Sequence, residues 1–204
     1  MSVPAVILAG GLARRMGGGD KGLLALGGRP VLEHVIHRLP PQVAGLAINA
    51  NGDPKRFAVF GLPVLADPVE GRPGPLAGIL AAMEWAAERG ADRVLTVAAD
   101  TPFLPTDLVA RLVQAHSERQ SDITLAATVQ GDAIVRHPTI GIHRTALRAE
   151  LRAALARGTR RVTDWTDAQG ASVVLFDEPG AFFNINTPQD LATAQAMLAV
   201  TAMP

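Results

Sequence analysis

Short apolar runs alternate along this sequence with stretches whose apolar residues recur at helical spacing, and that alternation limits the fold more than any other feature. The runs at residues 5–8, 46–48, 94–97, 123–126 and 173–176 are aliphatic and often β-branched, and four of them are continuous, as in strands covered on both faces. Between them, Val31, Leu32, Val35, Ile36 and Leu39 make one helical stripe, Leu76, Ile79, Leu80 and Met83 a second, and Leu108, Val109, Leu112 and Val113 a third. A last helix carries its own start signal. Thr187 stands at the N-cap, Pro188 at the first helical position and Asp190 where it can bond back to the cap, ahead of a face of Leu191, Ala194, Met197 and Leu198. Alternating strands and helices imply right-handed β-α-β crossovers, hence a Rossmann-like three-layer α/β/α domain with a mostly parallel sheet. The turn sequence Gln130-Gly131-Asp132-Ala133 predicts an antiparallel part around residues 123–142, which makes the sheet mixed.

With 204 residues and 48% hydrophobic content the chain can fill one sizeable core. No repeat, low-complexity tract or long linker divides it, so residues 1–204 are read as a single domain. Nineteen Lys and Arg balance nineteen Asp and Glu, which leaves no global field toward nucleic acid or anionic lipid; an anion site must be local. Cysteine is absent, which excludes thiolate metal sites and cysteine nucleophiles and fits a reducing compartment. No stretch approaches the ~18 apolar residues needed to span a bilayer. The first apolar run breaks at Gly10-Gly11, and glycines with Asp20 follow Arg14-Arg15 where a twin-arginine signal has an apolar region. A cytoplasmic protein with neither nucleic-acid nor membrane partners is expected.

Residues 8–22, LAGGLARRMGGGDKG, pack six glycines among three cations directly after the first strand. A P-loop would need Gly-Lys-[Ser/Thr], but Lys21 lies between Asp20 and Gly22. Gly17, Gly19 and Gly22 spell G-x-G-x-x-G, yet that triplet starts nine residues after Leu8, and Asn49 and Asn51 stand where a dinucleotide fold places its ribose-binding acid. What remains is a long loop whose N–H groups can converge on anionic oxygens, with Arg14, Arg15 and Lys21 adding charge. The alternative, a surface loop with solvated cations, fits poorly beside a buried strand.

Two carboxylates close other strands. Asp100 ends the run at residues 94–99 before Thr101-Pro102, and Asp67 follows residues 64–66, both at the edge where a parallel sheet presents ligands. Mg²⁺ bound to phosphates takes only one or two protein carboxylates, so Asp100 is a candidate metal ligand, with a turn or cap role as its alternative. Asp67 divides evenly between a ligand role and a turn with Pro68. A phosphate-cradling loop, a lysine and a metal carboxylate describe a nucleotidyl or phosphoryl transferase using a nucleoside triphosphate. A phosphate monoester nucleophile, with a second pKa of ~6, needs no general base, in keeping with a chain that shows no acyl-transfer constellation.

Five motifs extend this reading: L-A-G-G-x-x-x-R-M-G-x-x-D-K at residues 8–21, P-G-P-L-A-G at 73–78, D-T-P-F-L-P at 100–105, R-H-P-T at 136–139 and N-I-N-T-P-x-D-L at 184–191. In number, order and spacing they resemble those of the molybdenum cofactor guanylyltransferases, from about residue 5 to residue 198. The resemblance implies a nucleotidyltransferase domain that joins GMP from GTP to the terminal phosphate of molybdopterin, or of its molybdenum form, with Mg²⁺ and release of pyrophosphate. It assigns Leu8, Ala9, Gly10 and Gly11 to base and ribose, Lys21 to phosphates, Asn49 and Asp67 to the rest of the nucleotide pocket and Asp100 to Mg²⁺; Arg15, Lys21 and Asp100 become the catalytic set. Gly78 would bring backbone close to the base, with helix–sheet packing as its alternative. Related cytidylyltransferases usually read L-A-A-G, and glycine at position 10 removes a methyl and leaves room for a purine. Gly17-Gly18-Gly19 departs from relatives with fewer glycines there. A cytidylyl or sugar-phosphate nucleotidyltransferase, or a nucleotide-binding regulator without transfer, are the competing readings.

For the pterin, Arg136, His137, Arg160, Arg161, Asn184 and Asn186 supply cations and amide-like groups. All but Arg136 have a structural alternative: His137 a satisfied strand histidine, Arg160 and Arg161 a solvated helix start, the asparagines a cap on the last helix. Trp85 is expected in core or partly exposed packing, and Trp165, in a polar stretch, is a weaker candidate for stacking on a ligand. A monomer with transient contacts to cofactor-biosynthesis or cofactor-accepting proteins is expected.

Overall fold

The computed structural model describes residues 2–10, 19–39, 43–71, 74–178 and 180–201. In chain order it contains β1 (Val3–Leu8), β2 (Ala25–Leu26), β3 (Arg29–Pro30), α1 (Val31–Arg38), β4 (Val43–Asn49), β5 (Val64–Leu65), α2 (Pro75–Ala87), β6 (Arg93–Ala98), α3 (Leu108–Arg119), β7 (Ile123–Gln130), β8 (Ala133–Arg144), α4 (Arg148–Ala156), α5 (Val162–Ala168), β9 (Ser172–Phe176) and α6 (Pro188–Thr201). Seven strands form one sheet in the order β5-β4-β1-β6-β8-β7-β9. β8 runs antiparallel to both neighbours, while the other pairings are parallel. β2 and β3 form a separate small ribbon.

Why the first strand is continuously apolar is evident from its two sides. Ile7 faces a layer built on α1 and α3, with Leu32, Val35, Leu108 and Leu112. Val6, one residue earlier, faces the other layer, where Leu76, Ile79 and Met83 of α2 meet Leu151 and Leu155 of α4 and Trp165 of α5. Successive strand residues point to opposite faces, so a strand buried on both has no polar position.

Trp165 is only 3% exposed and belongs to this second layer, so its role is core packing and not stacking on a ligand; Trp85 is buried there too. A third, smaller cluster of Leu26, Val31, Ile185 and Ala194 ties the β2–β3 ribbon to α1 and α6.

The start of α6 is built as its sequence predicts. Asp190 N donates to Thr187 Oγ1 at 3.1 Å, and Asp190 Oδ2 accepts from the N–H groups of Asn186 and Thr187 at 2.9 Å each. Those donors, the Asn186 N–H first, hold the Asp190 carboxyl below the usual carboxylate range.

The β7–β8 hairpin closes at Gly131, whose φ is 60°, where glycine carries no steric penalty. The ladder slips along it: Leu125 pairs with Gly141 but Ala126 with His137. Pro138, which has no N–H to give, falls in that gap, and the resulting bulge turns Thr139 toward the carboxyl ends of the parallel strands. Among the described residues no helix is long and apolar enough to cross a membrane.

Candidate active site

The carboxyl ends of β1, β4, β5 and β6 open into a cleft of about 500 Å³, walled by Leu8, Ala9 and Gly10, by Asn49 and Asn51, by Asp67, by Ala98, Ala99 and Asp100, and by Thr139 and Asn184. Parallel strands place their ligand edge there, and the volume suits a small-molecule site.

One wall is a polar frame. Asn49, 3% exposed, donates through Nδ2 to Leu65 O at 3.1 Å and to Asp67 Oδ1 at 3.0 Å. Asn51 donates to Asp67 Oδ2 at 2.6 Å and accepts from Asp67 N at 2.9 Å. Two amides thus fix one carboxylate, and its remaining lone pairs are free to accept from a ligand. Gly78, in the first turns of α2, does not line the cleft. A methyl there would overlap Asn49 Oδ1 and lie 3.0 Å from Leu8 Cδ2, so this glycine acts by packing: it lets α2 sit on the Asn49 side chain.

The opposite wall is ionic. Lys21 Nζ lies 3.3 Å from Asp100 Oδ2 and also donates to Asn186 Oδ1. Gly22 makes this approach possible, because a Cβ at that position would stand 3.3 Å from Leu32 Cβ and 3.4 Å from Ala99 Cβ. The Asp100 loop is bonded to the chain before α6 through Ile185 N to Asp100 O at 2.9 Å and Thr101 Oγ1 to Asn184 Oδ1 at 2.5 Å. Asn184 and Asn186 are therefore brought to the same end of the cleft as Lys21 and Asp100.

Asp20 and Arg56 were not anticipated. Both line the cleft, and the Arg56 guanidinium pairs with the Asp20 carboxylate, donates to Asn51 O and, through Nε, to Asp53 O at 3.0 Å. Gly52 leaves room for it, since a Cβ there would sit 3.4 Å from Arg56 Nη2. The only sequence signal was Asp53-Pro54, which starts the 3-10 turn at Pro54–Phe60 carrying Arg56. Gly11, Arg14 and Arg15 lie outside the described residues.

Four residues assigned to the pterin are elsewhere. Arg136 faces α5, where its guanidinium makes a two-pronged pair with Asp167, Nη2 to Oδ2 at 3.3 Å; that hydrogen bonding raises the arginine's pKa and lowers the aspartate's. His137, its neighbour on the opposite sheet face, has Nε2 3.1 Å from Thr128 Oγ1 and is stacked on Phe182, and burial pushes its pKa down. Arg160 donates to Leu155 O at 2.8 Å and Thr159 O at 2.9 Å, closing the end of α4, and Arg161 is the exposed residue before α5. Both border a separate depression between α4 and α5 that shares no residue with the cleft.

The sequence pattern of the MobA-like NTP transferase domain matches residues 5–172. A molybdenum cofactor guanylyltransferase of Nitrobacter hamburgensis is 50% identical over 200 residues, which cover 96% of this chain and 94% of that one. The chain belongs to the molybdenum cofactor guanylyltransferase family. The fold extends beyond that family. Molybdopterin-guanine dinucleotide biosynthesis protein A from Archaeoglobus fulgidus superposes with a TM-score of 0.75 at 23% identity, over 97% of this chain and 100% of that one. The 2-C-methyl-D-erythritol 4-phosphate cytidylyltransferase of Thermus thermophilus does so with 0.72 at 24% identity, over 98% and 100%. A fold shared with a cytidylyltransferase leaves the choice of base in this guanylyltransferase-family chain to local residues at the cleft.

For a member of the guanylyltransferase family the metal question is one of donor chemistry. Among the described residues no three His, Asp or Glu side chains converge, which does not suit an all-protein cage. A single carboxylate at the Lys21 end of the cleft does suit Mg²⁺, which keeps waters and takes its other ligands from phosphates.

Proposed function

We propose that the chain transfers GMP from GTP to the terminal phosphate of molybdopterin or its molybdenum form, releasing pyrophosphate and leaving molybdopterin guanine dinucleotide. Family membership supports this, and the observation that carries it is the position of Lys21 between Asp100 and Asn186. A cation held between the two is suited to neutralise phosphate charge where nucleotide and acceptor would join.

Leu8, Ala9 and Gly10 form the base and ribose wall, and Asp67, oriented by Asn49 and Asn51, accepts hydrogen bonds from nucleoside donors. Lys21 neutralises charge on the α-phosphate and on the departing pyrophosphate, and Arg15 adds a second cation. An oxygen of the acceptor phosphate forms a bond to the α-phosphorus as the bond to the bridging oxygen breaks, its electron pair leaving with pyrophosphate. That nucleophile is largely ionised at neutral pH, with a second pKa of ~6, so no protein base is required. Asn184 and Asn186 hold the acceptor. Asp100 would hold Mg²⁺ together with the phosphates, and the ion would supply Lewis-acid charge stabilisation there. The protein acts in the cytoplasm as a monomer.

The test is a parallel assay of GTP, CTP and UTP with molybdopterin and Mg²⁺. Pyrophosphate release with GTP that requires the pterin supports the reading; preference for CTP contradicts the base assignment, and binding of GTP with no transfer favours a regulator.

A further inference from the structure

Phe182 has a φ of 62° and is one of two non-glycine residues with positive φ among the described residues. The other, Gln120, closes the end of α3 in a left-handed turn. Phe182 closes no helix. A bulky side chain in that backbone region is unfavourable and persists only when its surroundings over-determine it.

The surroundings are aromatic. The Phe182 ring is stacked on His137, with centroids 4.5 Å apart and planes at 28°, and meets Phe176 edge-on at 5.3 Å and 78°. His137 is in turn fixed by Thr128 at 3.1 Å. Phe182 is 3% exposed. Just beyond it the chain delivers Asn184 to Thr101, Ile185 to the Asp100 carbonyl and Asn186 to Lys21. In an ordinary extended strand Asn184 and Asn186 would share a face but run on in one line; a left-handed residue two positions before Asn184 turns the chain, and Asn184 lines the cleft.

We propose that the His137–Phe182–Phe176 stack is the element that positions residues 184–186, so that His137 and Phe182 act on the acceptor side of the reaction without touching the acceptor. This rests on the reading that Asn184 and Asn186 hold the acceptor phosphate ester. Of the two readings open to His137 from its motif, ligand contact or structural histidine, this takes the structural one and adds a positioning role.

Phe182→Leu tests it well, because leucine keeps a bulky side chain in the same backbone conformation and removes only the ring contacts. Two aromatic pairs are lost, so the Ile185 amide, bonded to Asp100 O, should exchange with solvent about tenfold faster or more, while core amides such as Leu95 keep their protection. The acceptor KM should rise by about tenfold with GTP affinity within twofold of the unaltered protein. His137→Phe preserves the stack and should keep nearly normal values; His137→Ala removes one of the two pairs and should shift Ile185 exchange and the acceptor KM in the same direction by a smaller factor, should Phe182→Leu not fold. Unchanged Ile185 exchange, or equal losses for GTP and acceptor, would overturn the proposal. If the unaltered protein transfers nothing to molybdopterin, the functional reading fails by itself, and Ile185 exchange alone decides the positioning role.

Discussion

Lys21 and Asn186 stand 165 positions apart and are joined by a hydrogen bond from the lysine ammonium to the amide oxygen. With the 3.3 Å approach to Asp100, the lysine ties the loop after β1 to the end of β6 and to the segment before α6. Lys21→Ala removes the only described cation at that junction. Turnover should fall on the order of 10²–10³-fold through lost charge stabilisation, while the unfolding midpoint moves little, because a partly exposed ion pair contributes on the order of 1 kcal/mol or less. Steady-state kinetics beside a thermal melt check this; a large loss of stability with normal turnover would reverse the roles.

Asp100→Asn keeps size and one acceptor oxygen for Lys21 but removes the charge. Metal stabilisation of several kcal/mol corresponds to more than a hundredfold in rate, and the Mg²⁺ dependence of what activity is left should move to higher concentration. A Mg²⁺ titration like that of the unaltered protein would take Asp100 out of the metal role.

Gly78→Ala addresses the other wall. The added methyl overlaps Asn49 Oδ1, and overpacking of this kind costs about 1–3 kcal/mol. Because Asn49 orients Asp67, GTP affinity should fall together with stability. Urea unfolding and GTP titration measure the two; unchanged stability would show that the helix can shift freely.

How far the site was legible in the sequence depended on the range of the interactions. The apolar strands and the Thr187–Asp190 cap are local patterns and are found as expected. Arg136 lies away from the cleft because it faces α5 and pairs there with Asp167, 31 positions on, a partner that leaves no local pattern in the sequence. Arg56 escaped notice because a short 3-10 turn has no apolar period to mark its faces. Trp165 has polar neighbours in sequence, yet α5 buries Val162, Trp165 and Thr166 on one side, a stripe too short to stand out.

Stability should depend on pH through histidine. His143 is fully buried, with Nε2 3.2 Å from Thr96 Oγ1, and burial pushes its pKa down to about 3 from an ordinary 6.5. The unfolded chain therefore binds a proton that the folded one refuses between those values. Stability is complete above pH 6.5 and is lost as pH falls toward 3, with a slope of about 1.4 kcal/mol per pH unit for this proton. His116 and His137, also lowered chiefly by burial, act in the same direction. Denaturant unfolding at pH 7, 6 and 5 measures the slope, and His143→Gln should reduce it; a flat profile would contradict a buried neutral His143.

Transfer of a nucleotidyl group is tested most directly by the fate of the α-phosphorus. GTP labelled at the α-phosphate, incubated with the protein, Mg²⁺ and molybdopterin, should place its label in a guanine dinucleotide of the pterin, with unlabelled pyrophosphate released in equal amount. Transfer of label only from γ-labelled GTP, or an α label that never leaves GTP while the protein is folded and binds nucleotide, would contradict the account.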